Sequence, residues 1–307
     1  MTPLRRTHLD GLAIGVLLLC CVLWGLNQVV SKVVLADVPP LAQAAVRSAG
    51  AALLLAGWSW WRGVPLGPGN GTAPAGVLAG LLFGVEFGCI FWGLQYTSAS
   101  RMGVFLYLAP FVVAMGMPFI SAAERLRPVQ WAGLVAAFGG VGWALAEGFS
   151  APALGPRAGW GDLLGVAAAL LWGGTTLLVR ATRLSTAPAE QTLFYQLAVS
   201  ALVLAAGSLI AGETWPAWHR LSAQPLLLMG FQIVVISFAS YLAWFWLMRH
   251  YPATRLAAFT LITPLASLLA GVGLLGEPLT LRLVVACTAV ALGIVLVNRP
   301  PKAGATG

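Results

Sequence analysis

The sequence predicts an all-α integral membrane protein, with ten transmembrane helices forming two inverted five-helix repeats. Three observations predict it. Only 8% of residues are charged against 59% hydrophobic, with a mean hydropathy of +0.88; a soluble domain carries roughly 25% charged residues to hydrate its surface. Apolar runs long enough to cross ~30 Å of hydrocarbon, about 20 residues each, succeed one another along all 307 residues. Distinctive residues of the first half also return in the second at a nearly constant offset.

Reading apolar runs between polar or Pro/Gly-rich breaks places spans at 11–36, 40–58, 74–96, 98–120, 128–147, 160–180, 190–211, 225–248, 253–275 and 280–297. This divides the chain into a tail (1–10), a first repeat (11–147), an outer linker (148–159), a second repeat (160–297) and a tail (298–307). Arg5-Arg6 before an apolar run imitates a signal peptide. The run from Gly11 to Ala36 is too long and has no small-residue cleavage site, so it stays as a helix. Ten spans leave loops of about nine residues, too short for a soluble domain. Cys20, Cys21, Cys89 and Cys287 lie inside apolar runs without metal-ligand spacing and read as packing residues.

Basic loop residues set the orientation. With the N-terminus inside, eleven Lys/Arg face the cytoplasm, including Arg62, Arg125, Arg180, Arg249 and Arg255. The outer set is five: Lys32, Arg101, Arg157, Arg220 and Arg282, with Arg47 inside a span. Both termini are therefore expected in the cytoplasm, at a bacterial inner (plasma) membrane. The net charge of +8 is explained by these loops, and nucleic acid is not expected as a partner.

The halves match at residues that are rare in so apolar a chain. Trp24-Gly25 stands eight residues before Lys32, as Trp172-Gly173 stands before Arg180. At an offset of 154, Phe91-Trp92, Arg101 and Pro110 match Phe245-Trp246, Arg255 and Pro264. One residue of slippage later, Glu124, Leu126 and Gly140 match Glu277, Leu279 and Gly293. Five spans per repeat is an odd number, so the second repeat enters from the opposite side. Inverted repeats of this kind recur in secondary transporters, with the substrate near the midplane at their interface.

Two five-span repeats, each with Trp-Gly in its first helix and Pro in its fourth, resemble the EamA-type drug/metabolite transporter superfamily. So do the closing motifs Glu124-Arg125-Leu126 and Glu277-Pro278-Leu279. The resemblance covers about residues 11–297 and is nearest in detail to the YddG-type exporters of aromatic amino acids. It implies a central cavity lined by the first four helices of each repeat, with the fifth and tenth helices peripheral.

Glu86 lies about ten residues, ~15 Å, from either end of its span, where a charge is costly unless it faces protein or water. Gly76, Gly80, Gly84 and Gly88 form a strip suited to close packing, and Glu86 points away from that strip. It faces a cavity, or is a protonated acid bonded to a neighbouring helix. Phe83, Glu86, Phe87 and Ile90 share one helical face, and Ser237, Ser240, Tyr241 and Trp244 match them in the second repeat. They make an aromatic substrate wall or ordinary packing, with Trp244 as a belt residue. Trp24, Asn27 and Gln28 share a face matched by Trp172, Thr175 and Thr176, as pocket lining or interhelical glue. Arg47 is placed to snorkel or to grip a carboxylate in a bidentate pair. Pro110 and Pro264 free carbonyls four residues back, near Tyr107, Thr260 and Thr263, which can satisfy them or touch substrate.

These residues support a secondary transporter exporting amino acids, aromatic and other large apolar ones first, by alternating access. The alternative is a proton-coupled multidrug or cation exporter using Glu86. An intramembrane enzyme would need a nucleophile–base pair, a carboxylate dyad or metal ligands at depth. His8, His219 and His250 lie in tails or loops, so no enzyme activity is expected. No cofactor or metal is expected either. The partners are a small-molecule substrate and the lipid bilayer, with a monomer as the simplest assembly.

Overall fold

The computed structural model describes residues 10–68, 71–120, 127–151, 155–251 and 262–297. The first five helical elements are α1 (Gly11–Val34), α2 (Pro40–Arg62), α3 (Ala73–Gly93), α4 (Ala99–Leu106) and α5 (Ala109–Ile120). Then come α6 (Pro128–Ser150), α7 (Ala158–Ala181), α8 (Ala189–Ile210) and α9 (Ala223–Phe231). A π-helical segment (Gln232–Ser240) continues α9 into α10 (Tyr241–His250), and α11 (Ile262–Leu275) and α12 (Leu281–Val297) close the chain. The described residues contain no strand. Seven stretches are long and apolar enough to cross a membrane: α1, α3, α4 with α5, α6, α7, α8, and α9 through Leu247. The apolar part of α12 and the described part of α11 are shorter. Helix α2 is the most polar of the long helices, because Gln43, Arg47, Ser48 and Ser59 face inward from it.

Local chemistry sets the ends. The Asp10 carboxylate accepts from the Ala13 N–H at 2.9 Å and caps α1, while Ser98 Oγ accepts from the Arg101 N–H at 3.1 Å and caps α4. Gly63 ends α2 in the left-handed conformation, at φ 66°, which glycine enters without strain. The expected span 98–120 is present as one membrane-length stretch, but its helix is interrupted at Tyr107-Leu108, three and two residues before Pro110. The Tyr107 and Leu108 N–H groups donate three residues back, to Val104 and Phe105, at 3.2 and 3.1 Å. Pro110 has no N–H to continue the ladder, and its ring excludes the α-geometry one turn earlier.

The π segment departs from the regular helix expected over 225–248, although Ser240, Tyr241 and Trp244 all still meet Trp24. Ser237, Ser240, Tyr241 and Trp244 were placed on one face of a regular α-helix. A π turn holds more residues than an α turn, so the 3.6-residue register fails through Ser240 and resumes at Tyr241.

The packing is reciprocal. Helix α1 packs on α11, and α7 packs on α4 and α5; α3 packs on α7, and α1 on the α9–π–α10 stretch. Helix α2 packs on α8, and α6 on α12. The glycine strip of α3 admits α8: Gly76, Gly80 and Gly84 lie against Tyr195, Val199, and Ser200 with Val203.

Candidate functional site

An unbroken run of aromatic rings crosses the middle of the bundle from α10 through α1 to α3. Trp244 meets Trp24 edge-on at 5.3 Å between centroids, Trp24 meets Tyr241 at 6.1 Å, and Tyr241 meets Phe83 at 6.4 Å. Phe83 then packs on Phe87 at 4.6 Å, and Phe87 on Phe91 at 6.2 Å. Ser240, at the end of the π segment, fixes the Trp24 ring. Its Oγ accepts from the indole Nε1 at 2.8 Å and donates to the Ile236 carbonyl at 2.6 Å.

Against this wall lie two buried ionisable side chains, Arg47 of α2 at 0% exposure and Glu86 of α3 at 4%. The Arg47 guanidinium carbon stands 3.8 Å from the centre of Phe87 and 5.3 Å from Phe91. None of its three nitrogens makes a hydrogen bond of good geometry, and neither does Oε2 of Glu86, although the Tyr241 hydroxyl lies close enough to the guanidinium to interact with it. Arg47 interacts electrostatically with both Tyr241 and Glu86. A buried charge at this depth is costly, and each unmet donor or acceptor adds about 1–3 kcal/mol. Asn27 Oδ1, Gln28 Oε1, Ser48 Oγ and Ser237 Oγ are also buried without partners. Ordinary packing satisfies such groups.

A second polar system joins the ends of five elements. Arg101 donates from Nε to both carboxylate oxygens of Asp162, at 3.1 and 3.0 Å, and from Nη2 to Oδ2 at 2.6 Å. Its Nη1 reaches Glu147 at 3.0 Å, and Thr280 donates to that same carboxylate oxygen at 2.8 Å. Thr97 Oγ1 donates to Asp162, and the Lys32 amine donates to the Thr97 carbonyl. Glu277 accepts from the Ala99 and Ser100 N–H groups at 2.7 and 2.9 Å and so anchors the start of α4. Glu213 does the same for α2, through Leu41 and Ala42, at 3.0 and 2.9 Å. A cavity of about 440 Å³ opens here, lined among others by Lys32, Tyr96, Thr97, Arg101 and Glu277.

The EamA-like transporter family model matches residues 11–146 and again 159–299. The chain belongs to the EamA-like transporter family. It is similar to the uncharacterized transporter YvbV of Bacillus subtilis (strain 168), 28% identical over 289 residues, covering 92% of this chain and 90% of that protein. It is also similar to the uncharacterized inner membrane transporter YedA of Escherichia coli (strain K12), 26% identical over 291 residues, covering 92% and 90%. An uncharacterized transporter of Archaeoglobus fulgidus is 29% identical over 296 residues, covering 92% and 98%. A solved crystal structure shares the fold at a TM-score of 0.65 and 22% identity, covering 92% of this chain and 95% of that one.

Within this EamA-like chain, ring contacts link Trp24, Phe83, Phe87, Tyr241 and Trp244, with Arg47 over Phe87 and interacting with Glu86. Ser237 is buried without a partner, and Ser240 is used to hold Trp24. Asn27 is buried one turn along α1 from Trp24. Tyr107 and Trp172 form a separate edge-on pair at 5.7 Å. Thr175 and Thr176 bond carbonyls four residues back, at 2.9 and 3.0 Å, rather than gluing helices together. Thr260 lies outside the described residues, as do Glu124, Arg125, Leu126, Arg255 and the two tails.

Arg101 corrects the sequence reading, which counted it among outer loop charges; it is 2% exposed and ion-paired inside α4. Its partner Asp162 is fully buried, and a lone Asp five residues into an apolar span was the available signal. The amide bridge from Gln43 to Gln232 at 3.2 Å, and from Gln232 to Ser31 Oγ at 3.0 Å, was also missed. The Trp-Gly motifs have a packing reason. A Cβ at Gly25 would stand 2.6 Å from Ala266 Cβ, and one at Gly173 would stand 2.6 Å from Val112 Cβ. Gly25 lets α1 cross α11, and Gly173 lets α7 cross α5.

Proposed function

We propose that this chain is a secondary transporter that exports amino acids, aromatic and other large apolar ones first, across the inner membrane by alternating access. Arg47 receives the substrate carboxylate, Glu86 receives its ammonium, and the rings of Phe83, Phe87, Trp24, Tyr241 and Trp244 receive its side chain. One observation carries the reading: beside an aromatic wall lie a buried arginine whose three nitrogens make no hydrogen bond of good geometry and a buried glutamic acid whose Oε2 is unpartnered. A zwitterion with a bulky apolar side chain supplies the missing groups. Ser237, Asn27 and Tyr107, with Thr260, complete the lining.

The proposed architecture is ten spans in two inverted repeats, 11–147 and 160–297, around a central cavity, with both termini cytoplasmic. Reciprocal packing supports it, because Val112 and Ala266, which face Gly173 and Gly25, are separated by the repeat offset of 154. A second reading, export of hydrophobic cations in exchange for protons, is favoured by the unpartnered Glu86 alone. It leaves Arg47 without an anion. Uptake into proteoliposomes of labelled amino acids and cations, with and without a pH gradient, separates the two. Transport of cations but not amino acids would overturn the first reading.

A further inference from the structure

The same centre is asymmetric in what it requires. An arginine cannot shed its charge in a protein, whereas a carboxylic acid becomes neutral by taking up a proton from solution. Arg47 is fully buried and stacked on Phe87 at 3.8 Å, so the ring faces compensate its charge from one side. Stacking uses the guanidinium plane and leaves its N–H edge free. No nitrogen makes a hydrogen bond of good geometry, the one hydroxyl acting on the group is that of Tyr241, and the planar edge matches a carboxylate in a two-bond fork. Phe91 at 5.3 Å backs the same group.

Resting on the zwitterion reading above, we propose that the site also transports aromatic and large apolar monocarboxylates that carry no amino group, with Phe87 as the positioning residue that presents Arg47 to them. A ligand with a carboxylate alone completes Arg47 and leaves Glu86 as a neutral acid. A ligand with an amine alone completes Glu86 and leaves a permanent cation with no acceptor. The carboxylate is therefore the required group, and the ammonium the dispensable one. Besides its place in the aromatic wall, Phe87 acts through Arg47: without an aromatic face at that position, the guanidinium loses the surface that holds its fork toward the ligand.

The test uses the purified full chain in proteoliposomes with labelled L-phenylalanine, competed by 3-phenylpropanoate or phenethylamine, followed by direct uptake of each. Phenylpropanoate is expected to compete within a fewfold of phenylalanine and to be taken up itself, and phenethylamine to be at least tenfold weaker. Phe87→Leu keeps an apolar side chain without the ring. It should raise the half-saturating concentration of both carboxylates about tenfold with a smaller change in maximal rate, and Phe87→Tyr should restore it. Equal competition by the amine, or none by phenylpropanoate while phenylalanine is transported, overturns the inference and leaves the amino-acid reading standing. Failure of all three ligands overturns both. Should Phe87→Leu not fold, the ligand series on the unaltered protein still decides.

Discussion

Arg101 and Asp162 form a buried fork-to-fork pair, with Nε bonded to both carboxylate oxygens and Nη2 at 2.6 Å from Oδ2. The pair ties α4 to α7, and through Glu147 and Thr280 it reaches α6 and the start of α12. Arg101 is 2% exposed and Asp162 fully buried, so each relies on the other and on the polar groups around it rather than on bulk water.

Breaking that pair should therefore cost more than any surface charge change. Asp162→Asn leaves Arg101 with a buried, poorly matched charge, an expected loss of about 3–5 kcal/mol. The measurement is thermal unfolding of the detergent-solubilised protein. Combining Asp162→Asn with Arg101→Gln should recover part of the loss. A single variant as stable as the parent would show that the pair contributes nothing net.

The helix crossings at Gly25 and Gly173 make a steric prediction. Gly173→Ala inserts a methyl where Val112 stands 2.6 Å from its ideal position, for an overpacking cost of about 1–3 kcal/mol. Val112→Gly in the same chain, which removes the Cβ that the new methyl would meet, should relieve it. The readout is the midpoint of thermal unfolding, and an unrelieved double variant would contradict the crossing.

Trp24→Phe keeps an aromatic ring beside Tyr241 and Trp244 but removes the indole donor to Ser240. The expected effect is about 1 kcal/mol in stability. Ser240→Ala should have a similar effect, and the double variant should cost less than the sum. Full additivity would mean the two side chains do not act as a pair.

Glu86→Gln preserves shape and hydrogen-bonding capacity while removing the charge. Affinity for zwitterionic substrates should fall, and uptake should lose its dependence on pH over the range in which the parent varies. A correctly inserted, fully active variant with the parent's pH profile would reduce Glu86 to packing.

For the proposed orientation, cysteines introduced beside Arg62 and Arg220 in intact cells should differ. Only the position near Arg220 should react with an impermeant reagent from outside. Labelling at both positions would break the ten-span, termini-inside arrangement.

The sequence by itself determined the solvent: a chain with 8% charged residues has too few polar side chains to coat a body in water, so its helices face lipid. It also determined the glycine strip of α3, because spacing of four on a helix makes a flat face whatever packs there. The break before Pro110 was readable for the same local reason, a missing N–H. Tertiary structure alone decided the charges. Arg47 and Arg101 look alike in the sequence, single arginines near the ends of apolar runs. One is forked onto Asp162 by a contact 61 residues away, and the other is stacked on Phe87 with its nitrogens unmet. Pairing across helices depends on which faces meet and at what depth, and the π segment shifts those faces by an amount that no regular period encodes.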